Sequence, residues 1–158
     1  LVEAAVFCLM ENGHQSGAIL KVSGDYEEEF QLIWTGELTE RMRLGWKDKK
    51  EATEYGATAI AALILPELIN FEILTRANQD EGIDYGIGEK ATLEIKAHLE
   101  VSGIWNETSK NTINVRVNQK MKNIEKRKDK LPVFVVVTEF SEPKTKIVKN
   151  DGSNSTNS

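Results

Sequence analysis

The sequence predicts an α/β domain in which a mixed central sheet is flanked by helices. Three observations carry this prediction. Residues 91 to 102 alternate apolar and polar side chains, the period of a strand. Residues 131 to 140, Leu-Pro-Val-Phe-Val-Val-Val-Thr-Glu-Phe, form an apolar run of the kind found in a strand covered on both faces. Segments at helical spacing precede and separate these strands, so that from Asp48 onward the order is helix, three strands, helix, strand. Three strands joined by short loops make an antiparallel meander, and a strand, a crossover helix and a further strand make a parallel unit.

The elements follow in order. Val2 to Glu11 holds helix formers, and Asn12-Gly13 tolerates the left-handed backbone of a helix end. Ala18 to Val22 and Phe30 to Thr35 are rich in β-formers around the turn-prone Ser23-Gly24-Asp25. They read as a hairpin with Trp34 packed on one face. Asp48 followed by Glu51 fits a capping box, so a helix is expected from about Lys49 to Leu65, ended or kinked by Pro66. Its stretch from Ala57 to Leu65 is apolar almost all round, which marks a buried helix.

Strands are expected at Phe71 to Ala77, Gly82 to Ile87 and Ala91 to Ser102. In the last, Leu93, Ile95, Ala97, Leu99 and Val101 oppose Glu94, Lys96, His98, Glu100 and Ser102. A helix over about Ser109 to Lys128 carries the apolar stripe Ile113, Val117, Met121, Ile124, with its bases mostly on the solvated side. Lys144 to Lys149 is expected to add an edge strand, and residues 150 to 158 lack any apolar side chain to offset the entropy of ordering them. The expected organisation is one domain over residues 1 to 149 and a disordered tail.

Composition is that of an ordinary globular protein, with 40% hydrophobic and 28% charged residues in 158, which excludes fibrous and wholly disordered classes. Cys8 is the single cysteine and sits in an apolar run, a small buried hydrophobe with no thiol partner. No stretch approaches the roughly 18 apolar residues of a membrane span. With no basic leader at its start, the chain is expected to be cytoplasmic. The net charge of −5 is unevenly spread. Residues 108 to 130 carry eight bases against Glu125 and Asp129, an excess of six, whereas residues 25 to 40 carry six acids and no base. The first segment could track phosphates and the second could dock a protein.

Candidate chemistry lies in the middle third. Asp84 on one strand and Glu94-Ile95-Lys96 on the next place two hard oxygen ligands beside a lysine. Such a set can hold one divalent cation and orient or deprotonate an attacking water. His98 on the polar strand face reads as a solvated or hydrogen-bonded histidine, and His14 lies in a loop. Trp34, Trp46 and Trp105 read as packing residues. Gly86-Ile-Gly88 lacks the third glycine and the helix start of a dinucleotide fingerprint.

With these residues and this element order, the chain over about 48 to 140 resembles the PD-(D/E)XK nuclease-like superfamily. The resemblance implies a restriction endonuclease-like core and hydrolysis of DNA or RNA with Mg²⁺ or Mn²⁺. It makes Asp84 and Glu94 metal ligands, Lys96 the catalytic lysine, and Glu51 or Glu54 an auxiliary acid. Two features depart from the pattern: no proline precedes Asp84, and the strand offers a second frame, Glu100-Val101-Ser102, with serine in the lysine position. Glu51 to Ala57, Asp84-Tyr85 and Leu99 to Ile104 together are similar to an uncharacterised family of bacterial proteins. In that frame Asp84 pairs with Glu100, and Arg116 or Lys120 stands in for the lysine; otherwise the fold is kept without the chemistry. Arg116, Lys120 and Lys126 are the nucleic-acid-binding candidates. The alternative function is a non-catalytic relative that binds another protein.

Overall fold

The computed structural model describes residues 1–77, 83–127 and 129–152. The elements are α1 (Val2–Glu11), β1 (Ala18–Gly24), β2 (Glu28–Leu32), α2 (Glu40–Gly45), α3 (Lys49–Ile69), β3 (Glu72–Arg76), β4 (Tyr85–Gly88), β5 (Ile95–Ile104), α4 (Ile113–Ile124), β6 (Val133–Glu139) and β7 (Lys144–Asn150). The strands form one mixed sheet in the order β2-β1-β7-β6-β5-β4-β3. β3, β4 and β5 make an antiparallel meander. The crossover through α4 then brings β6 parallel to β5. β7 returns antiparallel to β6 and runs parallel to β1, whose antiparallel partner β2 closes that side.

Helices cover both faces because β6 is apolar on both, while β5 is apolar toward α1 and α3 and largely polar toward α4. Ala97, Leu99, Val101, Phe134 and Val136 point toward α1 and α3, where Phe7, Ile60, Ile64 and Leu65 meet them. Val133, Val135 and Val137 point the opposite way, onto Ile113, Val117 and Ile124 of α4. All seven residues of β6 are buried, as its unbroken apolar run predicts.

Several elements differ from their sequence reading. β7 is not an edge strand: it lies between β6 and β1, and among the described residues the sheet ends on β2 and β3. The period-two pattern gives a strand's faces but says nothing of its neighbours. α3 runs past Pro66 to Ile69 and is closed by Asn70, whose left-handed backbone lets its N–H bond to the Pro66 carbonyl. The carbonyl that Pro66 leaves without a donor belongs to Ala62, which is exposed. Leu63, expected to be buried, is 54% exposed on the same side.

β5 starts at Ile95, four residues late, because Leu93 takes a left-handed backbone in the preceding turn. α4 starts at Ile113, where Thr112 caps it by accepting from the Val115 N–H at 3.2 Å, and the segment before it folds into a small Thr108–Asn111 bridge. Residues 82, 128 and 153–158 of the expected strand, helix and tail lie outside the described residues.

Contrary to the composition reading, α3 is long and apolar enough to span a membrane, with 21 residues and a mean hydropathy of 1.2 in its most apolar window. Of that window 56% is buried within the protein, which is the condition of a core helix.

Candidate functional site

α3 begins where Asp48 Oδ1 accepts from the backbone N–H groups of Lys50 (3.0 Å) and Glu51 (3.2 Å). From that end Glu51, Glu54, Tyr55 and Thr58 follow at i, i+3, i+4 and i+7, a polar stripe on a helix that is otherwise largely apolar. The stripe faces a cleft of about 370 Å³ whose opposite wall holds Arg76, Asp84 and Tyr85. α3 comes this close because residue 103 is glycine: a Cβ there would stand 2.2 Å from the Thr53 carbonyl oxygen.

The cleft exists because β5 outlasts its partner. Pairing between β4 and β5 reaches Tyr85–Leu99, while β5 continues beside β6 to Ile104. The edge of β5 beyond Leu99 therefore projects backbone N–H groups without a strand to receive them. Carboxylates take that place. Asp84 Oδ2 accepts from the Val101 N–H at 2.8 Å, and the Glu54 carboxylate lies near the Gly103 N–H.

On the other face of the same segment Glu100 is only 6% exposed. Its Oε1 accepts from Lys120 Nζ at 2.7 Å, and its carboxyl is near enough to Asp84 to feel that residue's charge. Its Oε2 is buried with no hydrogen-bond partner. Arg116 Nη1 donates to Ser102 Oγ at 2.5 Å and to the Gly103 carbonyl at 3.3 Å, while its Nη2 donates to Asn111 Oδ1. Burial pushes the Glu100 carboxyl up to about 7, and the neighbouring Asp84 charge adds to this against the pull of Lys120. Burial also raises Glu54, opposed by the Gly103 N–H, Lys120 and Arg116.

The structure thus gathers Glu54, Asp84, Glu100, Arg116 and Lys120 from four separate segments. It does not bring Glu94 and Lys96 to them. Those two form a solvent-facing pair at 3.0 Å, with side chains 62% and 41% exposed. Six residues of extended chain separate Glu94 from Glu100, roughly 20 Å. Glu51 stands in the cleft one turn before Glu54, and Lys126 lies exposed past the end of α4. Arg116 and Lys120, expected on the solvated side of α4, turn inward because Ser102 and Glu100 offer them buried partners.

His98 is hydrogen-bonded through Nε2 to Asp129 at 2.9 Å, and His14 Nε2 meets the Ser141 carbonyl at 2.8 Å. Trp34, Trp46 and Trp105 pack against the core. Tyr55, Arg76 and Tyr85 are cleft residues to which the sequence reading gave no role, although Tyr55 and Tyr85 lie in segments that carry the resemblance to the bacterial family. The helical stripe could have revealed Tyr55. Arg76 and Tyr85 become neighbours only through the β3–β4 register.

Among the described residues no group of three or more His, Cys, Asp or Glu side chains is arranged to hold a metal ion. The fit to a divalent cation therefore rests on two carboxylates, Asp84 and Glu100. The two acids lie beside each other with Lys120 as the one cation bonded to Glu100, and the unpartnered Glu100 Oε2 is a buried hard donor without a bond. The chemistry of the donor set suits Mg²⁺ or Mn²⁺ better than a softer ion. Comparison with protein-family models, curated proteins and solved structures finds no match to this chain.

Proposed function

We propose that the protein is a cytoplasmic, metal-dependent nuclease built on a restriction endonuclease-like core, with Asp84 and Glu100 as its metal ligands. The observation that carries this reading is the meeting of these two carboxyls beside Lys120, with a buried Glu100 oxygen left unbonded at the open edge of β5. The element order α3-β3-β4-β5-α4-β6, with an antiparallel meander followed by a parallel crossover, supports the PD-(D/E)XK-like resemblance in its second frame.

A bound Mg²⁺ or Mn²⁺ would supply positive charge to a phosphoryl oxygen and lower the pKa of an attacking water. The chain's own residues do the rest. Lys120, held by Glu100, supplies the cation that Ser102 cannot, and it offsets negative charge developing at the phosphorus. Arg116 fixes the free end of β5 through Ser102 and the Gly103 carbonyl, and so positions Glu100. Glu54, whose pKa burial raises, is a stronger base than an exposed carboxylate and is the residue to accept a proton from water.

One observation favours the alternative, a non-catalytic relative that binds another protein. Asp84 already caps a backbone N–H group of β5, a purely architectural use of a carboxylate. Incubation of the purified protein with single- and double-stranded DNA and RNA, with Mg²⁺ or Mn²⁺ and with chelator, separates the two. Cleavage that requires the metal and is lost in Asp84→Ala supports the nuclease. Neither cleavage nor nucleic-acid binding in any arm would transfer the preference to the protein-binding reading.

A further inference from the structure

The cleft carries two tyrosines that the proposed chemistry does not use. Tyr55 comes from the helical stripe of α3 and Tyr85 from the first position of β4, and both line the cavity that also holds Asp84 and Glu54. Neither ring is loose. Tyr55 meets Trp46 edge-on with ring centroids 6.0 Å apart, and Tyr85 packs against the core. Arg76 is paired with Tyr85 in the β3–β4 register, and Lys50 stands at the start of α3, so two cations flank the aromatic walls. Among the described residues neither Arg76 nor Lys50 is engaged in an ion pair.

From the two tyrosines flanked by Arg76 and Lys50 we infer that this cleft takes one unpaired nucleotide, so that the substrate is single-stranded nucleic acid or a frayed end. The inference deepens the nuclease reading and rests on it. An aromatic side chain can stack on a base only where the base presents its face, and in a duplex the faces are buried in the stack. A cleft of about 370 Å³ is of the size that takes a small ligand. The rim points the same way. Asp48 and Glu51 stand beside Lys50 at the cleft's mouth, and two phosphate strands would meet more of that negative charge than one.

The test is fluorescence anisotropy with a short labelled single-stranded DNA, the RNA of the same sequence and the DNA duplex, with Ca²⁺ in place of Mg²⁺. Single strands should bind at least about tenfold more tightly than the duplex. Tyr55→Ala should weaken that binding roughly tenfold, and Tyr55→Phe should restore it, because stacking needs the ring and not the hydroxyl. Arg76→Gln should lower the slope of log affinity against log salt by about 0.7. A preference for either single strand supports the inference and identifies the sugar. Duplex binding as tight as single-strand binding, or no effect of Tyr55→Ala in a variant that melts like the parent, overturns it. The nuclease reading fails separately: tight, Tyr55-dependent binding of single strands without cleavage under Mg²⁺ or Mn²⁺ overturns that reading and leaves this one. Cleavage of duplex that is indifferent to Tyr55 does the reverse.

Discussion

The two ends of β5 carry nearly the same short text and have opposite fates. Glu94-Ile95-Lys96 at its start has an acid and a base two residues apart, and the pair closes on itself in solvent. Glu100-Val101-Ser102 near its end lacks the base, yet it is buried and meets Lys120, Arg116 and Asp84 from elsewhere in the chain. An exposed ion pair contributes little energy, because water screens it and two long side chains must be ordered to make it. A buried carboxyl cannot be screened, so its neighbours set its charge. A motif two residues apart therefore has chemical meaning only at the end of the strand where the sheet opens and helices close over it.

The comparison can be broken most sharply by activity. Asp84→Ala or Glu100→Gln should lower metal-dependent cleavage by about 100-fold or more, while Glu94→Gln and Lys96→Ala should leave it unchanged. A loss in the Lys96 variant equal to that in the Glu100 variant would return the chemistry to the first frame.

Next in size is a pH effect on stability. The Glu100 carboxyl rises from about 4.5 to about 7 on folding, so the folded state binds the proton more tightly. Its contribution is fully present below about pH 4.5 and is lost as pH rises through about 7. Glu100→Gln mimics the protonated form and should escape the loss. In urea unfolding it should exceed the parent at pH 8 by on the order of 3 kcal/mol and converge with it near pH 4. A constant difference across that range would mean that the Glu100 proton is not linked to folding. Mg²⁺ should oppose the same loss, stabilising the parent more at pH 8 than at pH 6 and the Gln variant little at either.

A smaller effect tests the closeness of α3 to β5. Gly103→Ala forces a methyl group against the Thr53 carbonyl and should cost about 1–3 kcal/mol in denaturant unfolding. It should also weaken the proposed cleavage, since it pushes away the helix that carries Glu54. The smallest belongs to the strand's other end. Lys96→Ala should change stability by less than about 0.5 kcal/mol, and a larger change would show that the exposed pair matters to the fold.

Much of the architecture was legible in the sequence because it follows from local rules. Asp48 with Glu51 marked the start of α3, the alternation through Leu99 and Val101 gave β5 two faces, and the apolar run at Val133 to Glu139 announced a strand covered on both sides. Each of these signals is spent within a few residues of chain, where spacing and side-chain chemistry decide the backbone. The mixed α/β class follows from their order.

The site required more. Asp84, Glu54, Arg116, Lys120 and the second frame at Glu100 could be named as candidates from the sequence, but it could not choose between Glu94 and Glu100, nor turn Arg116 and Lys120 inward. That choice depends on where β4 stops pairing with β5, on a glycine that lets α3 approach, and on α4 crossing the opposite face. Likewise the neighbours of β7 and the placing of Tyr55 and Tyr85 around one cleft depend on strand register and sheet order. Periodicity separated the apolar from the polar face of β5 and gave α4 its apolar stripe. Which inward faces meet, and which carboxyl loses its water, is fixed by contacts between residues far apart in the chain, and only the tertiary structure decided them.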